Sequence, residues 1–196
     1  MEGLLLAQVV ATLAARLPLD RLAWRFAGRD AIILPLVPRG ALWIYMRLPE
    51  PRIAVRDDAG DAQPTPWTPF QALLQARAVG PLMNVEQSKL DRVVSLHFGP
   101  DEGFVRQPAV TLVAELTGRN GNLILLDASG LILGAHREVQ AEQNRFRQVR
   151  PGFGTNRHPR TRKPTRVPST VPACARFWVG NRSVAGRRCS TGSVRR

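Results

Sequence analysis

The stretch ELTGRNGNLILLD, residues 115–127, places polar side chains between two apolar runs and is the first candidate for a functional loop. Asn120-Gly121 is a dipeptide favoured in type I′ hairpin turns, because both positions tolerate a positive φ. A turn alone does not account for Arg119 and Asn122, whose guanidinium and amide groups can donate hydrogen bonds to a ligand. A phosphate-binding loop is excluded, since neither a lysine nor a helix start follows the glycines.

The second candidate is the Asp91-Arg92 pair in SKLDRVVSL. Alternation from Leu90 predicts a strand over residues 90–98, with Asp91 and Arg92 on opposite faces. They therefore cannot pair face to face; one could project to solvent while a local hydrogen bond anchors the other. Charges at a strand edge, without a function, are the alternative.

The third candidate is QNRFRQVRPG, where donor side chains surround Phe146. Basic residues interleaved with an aromatic ring suit the phosphates and bases of RNA. A solvated polar face explains the same pattern equally well, so both interpretations stay open. The donors are Asn144, Arg145 and Arg147.

Catalytic motifs are missing from the sequence. It contains no Walker loop, no dinucleotide-binding glycine motif, no Gly-x-Ser-x-Gly elbow and no His-Glu-x-x-His. His97, His136 and His158 are scattered; the first two could meet in space, but without a carboxylate they are weak evidence for a metal. We therefore expect a binding protein that is not an enzyme and needs no cofactor and no metal.

Two helices and a series of short strands are predicted to position these candidates. Leu5, Val9, Leu13 and Leu17 recur at helical spacing and predict a helix over residues 2–17. A second helix should begin at the N-cap Thr68, with Pro69 at its first position and Gln71 completing a capping box, and end at Gly80-Pro81. Strands are predicted over residues 22–27, 31–37, 41–48, 52–56, 82–87, 90–98, 109–116, 122–127 and 131–139.

This pattern predicts an α+β fold: a mostly antiparallel β-sandwich or partly closed barrel with two flanking helices. The run from Leu123 to Leu126 is apolar on both faces, so its strand should be central and covered on both sides.

Charge divides the chain into two parts. Residues 1–152 carry 17 basic and 15 acidic side chains, whereas residues 153–196 carry 11 basic residues and no acid. Both cysteines, Cys174 and Cys189, lie in this tail, which lacks helical or strand periodicity and is predicted to be disordered. No apolar run is long enough to span a membrane, and the start has no positive region typical of a signal peptide. We therefore expect a cytoplasmic protein with one domain, residues 1–152.

The stretches EGLLLAQVV, VEQSKLDRVVSLHF, ELTGRNGNLILLD and QNRFRQVRPG, in this order, resemble the N-terminal domain of the NFACT family. This family includes the bacterial fibronectin-binding protein A-like proteins, the bacterial factor RqcH and the eukaryotic factor NEMF. Its Glu-Leu-x-Gly-Arg-x-x-Asn pattern, closed by an apolar strand and Asp, matches Glu115 to Asp127. Its Asp-Arg motif matches Asp91 and Arg92, and its Asn-Arg-x-Arg stretch, ending in Pro-Gly, matches Asn144, Arg145, Arg147, Pro151 and Gly152.

The resemblance implies a ribosome quality-control factor. Such proteins bind a stalled large ribosomal subunit carrying peptidyl-tRNA, recruit tRNA (alanyl-tRNA in bacteria) and support template-free alanine tailing of the nascent chain. The family's Asp-Arg pair is implicated in tRNA engagement, which makes Asp91 and Arg92 the first expected site residues. The family fold also resembles the N-terminal domain of formamidopyrimidine DNA glycosylases, but Met1-Glu2-Gly3 lacks their nucleophilic proline, so glycosylase chemistry should be absent.

The sequence departs from the family after Gly152. Full-length members continue into helix-hairpin-helix, coiled-coil and RNA-binding regions, so we expect a truncated member. Its basic tail is either an RNA-binding arm or the product of a frameshift, and the break at a family landmark favours the frameshift. A fibronectin-binding adhesin is the alternative function, although neither a signal peptide nor an anchor supports surface display.

Overall fold

The computed structural model describes residues 3–20, 22–89, 91–103, 105–140 and 148–154. This part of the chain contains the helices α1 (Gly3–Ala14) and α2 (Pro69–Arg77) and nine strands: β1 (Arg25–Phe26), β2 (Ala31–Pro35), β3 (Ala41–Tyr45), β4 (Arg52–Arg56), β5 (Leu82–Gln87), β6 (Val93–Phe98), β7 (Val110–Glu115), β8 (Asn122–Asp127) and β9 (Ile132–Ala135). The strands form two antiparallel sheets, ordered β1-β2-β3-β4 and β5-β6-β7-β8-β9. The predicted α+β class is confirmed; because neither sheet closes on itself, the barrel alternative is wrong.

One apolar core takes side chains from both sheets and both helices. Alternation along β3 shows how a strand contributes to it: Leu42 and Ile44 face this core, whereas Ala41 and Trp43 face the other side of the sheet. There they form a smaller cluster with Ala62, which follows the strands in the loop 57–63. The outer face of the four-stranded sheet is thus partly covered by that loop.

Strand β8 is buried on both faces, as its uninterrupted apolar run predicts. Leu123 and Leu125 belong to the main core, while Ile124 and Leu126 pack on the outer face with Val149. The strand lies between β7 and β9, inside the sheet. Its two covered faces and two paired edges give the loop before it a fixed end.

Helix α2 begins where the sequence places it. Thr68 Oγ1 accepts a hydrogen bond from the Gln71 backbone N–H at 3.2 Å, and Pro69 is the first helical residue. The Gln71 side chain does not complete the capping box on Thr68, because its Oε1 accepts from the Trp67 N–H at 2.6 Å. Its amide nitrogen donates to the Gly28 carbonyl at 2.9 Å, so this buried side chain also fixes α2 to the turn between β1 and β2.

Helix α1 is shorter than the predicted range 2–17. Leu6 and Leu13 are fully buried, with Val9 packed beside them, but Leu5 is 53 % exposed although its spacing assigned it to the apolar face. No helix among the described residues is both long and apolar enough to cross a membrane.

Candidate functional site

Three segments meet at one end of the five-stranded sheet: the turn before β6, the connection from β7 to β8, and the residues after β9. Register brings them together, because Val93 at the start of β6 pairs with Glu115 at the end of β7, which pairs with Asn122 at the start of β8. The His136 N–H donates to the Leu123 carbonyl at 2.8 Å, so the chain after β9 arrives at the same place. We call this group the sheet-end site; its members are Asp91, Arg92, Arg119, Asn122 and Arg137.

Asp91 and Arg92 lie in the turn before β6, and the expectation that they sit on the strand, facing opposite sides, is wrong. The strand begins at Val93. The Asp91 N–H donates to the Ser88 carbonyl at 2.9 Å, and Asp91 Oδ1 accepts from the Arg92 N–H at 2.8 Å. A local hydrogen bond thus holds the carboxylate as predicted, but both side chains are exposed.

The backbone of this turn is attached to two neighbours. The Arg92 carbonyl accepts a hydrogen bond from the Leu116 N–H at 2.7 Å, which joins the turn to the β7–β8 connection. The Gln87 side-chain amide donates to the carbonyls of Asp91 and Gly3, at 2.8 and 3.0 Å. The Arg92 guanidinium therefore extends from a backbone fixed on both sides.

The β7–β8 connection is not the predicted type I′ turn at Asn120-Gly121. Gly118 takes the left-handed conformation, with φ +65°, and opens a 3-10 turn over Gly118–Asn120. Gly121 has φ −56° and donates its N–H to the Gly118 carbonyl at 2.9 Å. The second glycine is needed for a different reason: a Cβ on it would lie 2.9 Å from Pro51 Cγ, so the connection packs directly on the residues before β4.

Asn122 and Arg137 hold this connection in place. Asn122 is 3 % exposed; its Oδ1 accepts from the backbone N–H groups of Arg137 and Leu123, both at 2.9 Å, and its Nδ2 donates to the Arg137 carbonyl at 2.7 Å. Arg137 Nη1 in turn donates to the Arg119 carbonyl at 3.1 Å. Both polar atoms of the Asn122 side chain are therefore used inside the protein, and its geometry is that of a residue that positions Arg119.

Arg137 was not among the residues that the sequence suggested. It follows β9 directly and carries no motif of its own; only the register that brings the end of β9 beside the start of β8 reveals it. Asp127, matched by the family pattern, lies at the opposite end of β8 from Asn122. Its Oδ1 accepts from the Ser129 hydroxyl and from backbone N–H groups, and these hydrogen bonds, the hydroxyl's above all, lower the pKa of the carboxyl while closing the β8–β9 turn.

The sheet-end site carries three exposed guanidinium groups and one exposed carboxylate. The arginines are Arg92, Arg119 and Arg137, and the carboxylate is that of Asp91. Within the described part of the chain, none of the three arginines forms an ion pair. Guanidinium groups with free donors bind phosphate or carboxylate oxygens well, often with two parallel hydrogen bonds.

Asn144, Arg145 and Arg147 lie outside the described residues. The described residues on either side of them, Val139 and Val149, exchange backbone hydrogen bonds of 3.1 and 3.0 Å. The predicted RNA-binding role of these three residues stays a prediction.

The two described histidines do not meet. His97, on β6, has Nδ1 3.1 Å from Thr111 Oγ1 and Nε2 3.9 Å from a Glu86 carboxylate oxygen. His136 lies beyond β9, with Nε2 3.3 Å from Asp30 Oδ1. Burial lowers the pKa of both imidazoles, and the neighbouring carboxylates oppose this shift in part. His158 lies outside the described residues.

Comparison with protein families gives one match over most of the chain. The family described as NFACT N-terminal and middle domains matches residues 2–173. No curated protein matches the sequence. The boundary predicted at residue 152, and the nature of residues 153–196, stay predictions.

Solved structures share the fold at low sequence identity. The N-terminal domain of the fibronectin-binding protein PavA from Streptococcus pneumoniae superposes with a TM-score of 0.69 at 22 % identity, over 81 % of this chain and 62 % of the other. The N-terminal part of the fibronectin/fibrinogen-binding protein from Streptococcus suis gives 0.71 at 21 %, over 82 % and 62 %. The fibrinogen binding protein from Staphylococcus aureus gives 0.64 at 17 %, over 82 % and 57 %. The chain thus spans less than two thirds of each of these three structures.

Proposed function

The chain belongs to the NFACT family, and from this membership we propose that it is an RNA-binding module of ribosome quality control, which engages tRNA on a large ribosomal subunit carrying peptidyl-tRNA. The sheet-end site is the proposed contact surface. Alanyl-tRNA is the proposed tRNA, and the proposed outcome, in a complete factor, is alanine tailing of the nascent chain.

The observation that supports this proposal is a set of three exposed guanidinium groups on fixed backbone at one end of a sheet, none of which forms an ion pair with another described residue. Arg92 extends from a turn that is hydrogen-bonded to Leu116 and Gln87, and Arg119 from a connection held by Arg137. Because the backbone is already fixed, only the arginine side chains lose conformational freedom on binding, and more of the interaction energy is retained as affinity. Phosphates of a tRNA backbone match such donors in charge and in geometry.

The Asp91 carboxylate favours binding of RNA over binding of other polyanions. Its Oδ1 accepts from the Arg92 N–H, while the rest of the exposed carboxylate can accept from a ribose 2′-hydroxyl. A carboxylate also repels a phosphate that approaches in the wrong register, and this adds selectivity. We propose that the pair works as one unit, with Arg92 on phosphate and Asp91 on the sugar or a base.

Two variants test this role. Arg92→Ala and Arg119→Ala should each weaken binding of a tRNA transcript to the protein by about 5- to 10-fold, roughly 1 to 1.4 kcal/mol, which is the value of one solvent-exposed hydrogen-bonding contact. Each should also lower the slope of log K against log salt by about one. Fluorescence anisotropy over a series of salt concentrations measures both quantities, and thermal unfolding should change by less than about 2 °C because both side chains are exposed.

Arg106→Ala is the matched control, since Arg106 is an exposed arginine in the β6–β7 connection, at the other end of the sheet. Equal losses in Arg92→Ala and Arg106→Ala would show attraction by net charge alone and would refute a defined site. Unfolding of Arg92→Ala at a much lower temperature would make Arg92 a structural residue.

We propose no catalytic chemistry for the chain itself. Among the described residues, no three His, Cys, Asp or Glu side chains are grouped as a metal site would require. The contribution proposed here is binding and positioning of tRNA. Because further contacts of a longer protein would add avidity, binding by this chain alone should be weak and salt-sensitive.

Fibronectin binding is the second candidate, and it rests on the names of the two streptococcal structures. Surface plasmon resonance with immobilised fibronectin separates the candidates. Saturable binding to fibronectin that Arg92→Ala leaves unchanged, together with no binding to tRNA, would favour the adhesin.

A further inference from the structure

The outer face of the four-stranded sheet carries a stack of aromatic rings and guanidinium groups that the proposed tRNA contact does not use. The rings of Trp43 and Tyr45 on β3 stack with centroids 5.5 Å apart and planes inclined by 20°. The Arg56 guanidinium lies over both rings, 4.7 Å from the Trp43 centroid and 5.6 Å from that of Tyr45. The Arg52 guanidinium lies 4.9 Å from the Tyr45 centroid. We call these four residues the arginine-aromatic stack.

Register explains how the stack forms. Arg52 pairs with Tyr45 across the β3–β4 ladder, and Arg56 pairs with Ala41, so both arginines of β4 share a face with the rings of β3. Both rings are partly or largely covered, and Trp43 is also anchored by a hydrogen bond from its Nε1 to the Asp58 carbonyl at 2.9 Å. The rings therefore support the arginines more than they offer a free surface to a base.

The guanidinium groups themselves are available. Arg52 and Arg56 are exposed, and in the part of the chain that the structure describes neither forms an ion pair. Asp57 and Asp58 follow Arg56, but Asp58 Oδ1 accepts from the Gly60 N–H at 2.9 Å instead of pairing with an arginine. A ring beneath a guanidinium leaves its N–H donors, which lie around the edge of the plane, free for an anion.

The stack lies next to the sheet-end site. A Cβ on Gly121 would be 2.9 Å from Pro51 Cγ, and one on Gly118 would be 3.7 Å from the Pro49 carbonyl oxygen. Arg52 follows Pro51 directly. The connection that displays Arg119 thus packs against the chain that leads into the stack, and the backbone segments that carry Arg119 and Arg52 are neighbours.

We propose that the arginine-aromatic stack is a second RNA-binding surface, on which Arg52 and Arg56 bind successive phosphates of an RNA strand that continues from the sheet-end site; this inference rests on the proposed function. Both guanidinium carbons lie close to the Tyr45 ring, so their separation cannot exceed the sum of their two distances to its centroid. Two fixed cations this close together match two nearby phosphates of one strand. Recognition is by charge and spacing, without base readout.

The test uses the full chain and a single-stranded oligouridine as the probe, with binding followed by fluorescence anisotropy at several salt concentrations. The double variant Arg52→Gln with Arg56→Gln should weaken binding by about 10-fold or more. It should also lower the salt slope by about 1.4, since each phosphate contact with a single strand contributes roughly 0.7. Replacement of both arginines by lysine should restore binding only in part, because lysine keeps the charge but loses the planar fork.

Two further double variants make the result interpretable. Arg106→Gln with Arg150→Gln removes the same charge from exposed positions outside both groups and should leave binding nearly unchanged. Arg92→Gln with Arg119→Gln disables the sheet-end site and should weaken binding on its own.

Full retention of affinity and slope in the Arg52, Arg56 glutamine variant, with loss in the Arg92, Arg119 variant, would overturn the second surface and leave the proposed function intact. No RNA binding by the unmodified protein would overturn both. If the Arg106, Arg150 control lost as much affinity for oligouridine as the Arg52, Arg56 variant, net charge alone would explain the loss, and the inference would be overturned. Binding of poly-L-glutamate, without binding of oligouridine, would assign the stack to an acidic protein partner instead.

Discussion

Replacing Asn122 by alanine removes three hydrogen bonds at the start of β8. Two join it to Arg137 after β9, one accepted by Oδ1 from the Arg137 N–H and one donated by Nδ2 to the Arg137 carbonyl; the third is accepted by Oδ1 from the adjacent Leu123 N–H. A typical hydrogen bond contributes about 0.5–1.5 kcal/mol, and a buried backbone group left without a partner costs about 1–3 kcal/mol. Because Asn122 is 3 % exposed, water cannot easily replace the amide, and we expect a loss of about 2–4 kcal/mol in the free energy of unfolding.

Urea and thermal unfolding measure this loss. For a domain of this size, about 2–4 kcal/mol corresponds to a fall in Tm of about 5–15 °C. Asn120→Ala is the matched control: Asn120 lies two residues earlier, is exposed, and its side chain makes no hydrogen bond to any described residue, so its change should stay within about 0.5 kcal/mol.

The same variant tests whether Asn122 positions Arg119 or contacts tRNA itself. If Asn122 acts by positioning Arg119, Asn122→Ala should weaken tRNA binding and also lose stability, and the Arg137 amide should lose protection from hydrogen exchange. Arg119→Ala should weaken binding while stability is kept. A destabilisation below about 1 kcal/mol in Asn122→Ala, with unchanged exchange at Arg137, would refute this reasoning about the site.

Two further predictions concern packing and pH. Gly121→Ala should cost about 1–3 kcal/mol, because the new Cβ would lie 2.9 Å from Pro51 Cγ, whereas Gly154→Ala, with no atom within 4 Å, should be nearly neutral; equal urea midpoints for the two variants would contradict the close packing. The pKa of His136 is lowered from 6.5 mainly by burial, against the opposing effect of Asp30. His136 therefore binds a proton more readily in the unfolded chain than in the folded protein. The contribution of neutral His136 to stability is complete above about pH 6.5 and is lost as the pH falls through the pKa of His136 in the folded protein. His136→Gln should flatten the fall in urea midpoint between pH 7.5 and 5.5, and an unchanged fall would show that other groups cause it.

Much of the secondary structure could be predicted from local patterns. The strands over residues 52–56, 82–87 and 122–127 begin and end where predicted, because turn residues or a helix stop bound them. The N-cap at Thr68 was also predicted, since capping depends on residues within one turn of each other. Predicted strand ends were wrong where the chain leaves a sheet; β9, for example, ends at Ala135 instead of residue 139.

The conformation of the loops could not be predicted in this way. Asn120-Gly121 has the composition of a two-residue hairpin turn, but the register of Glu115 with Asn122 leaves a longer connection between the strands. Its left-handed residue is Gly118, while Gly121 is required by contact with Pro51. Such a contact joins residues distant in sequence, and no local propensity reports it.

The sequence by itself determined the residue types of the site and the order along the chain of the strands that carry them. It placed Asp91, Arg92 and Arg119 in polar stretches beside apolar strands, and the family resemblance that these stretches carry is confirmed by comparison. Only the tertiary structure decided that these residues share one end of a sheet, that Asn122 is used internally and that Arg137 belongs with them. The physical reason is that antiparallel register and side-chain hydrogen bonds act between residues far apart in the chain, where composition and periodicity carry no information.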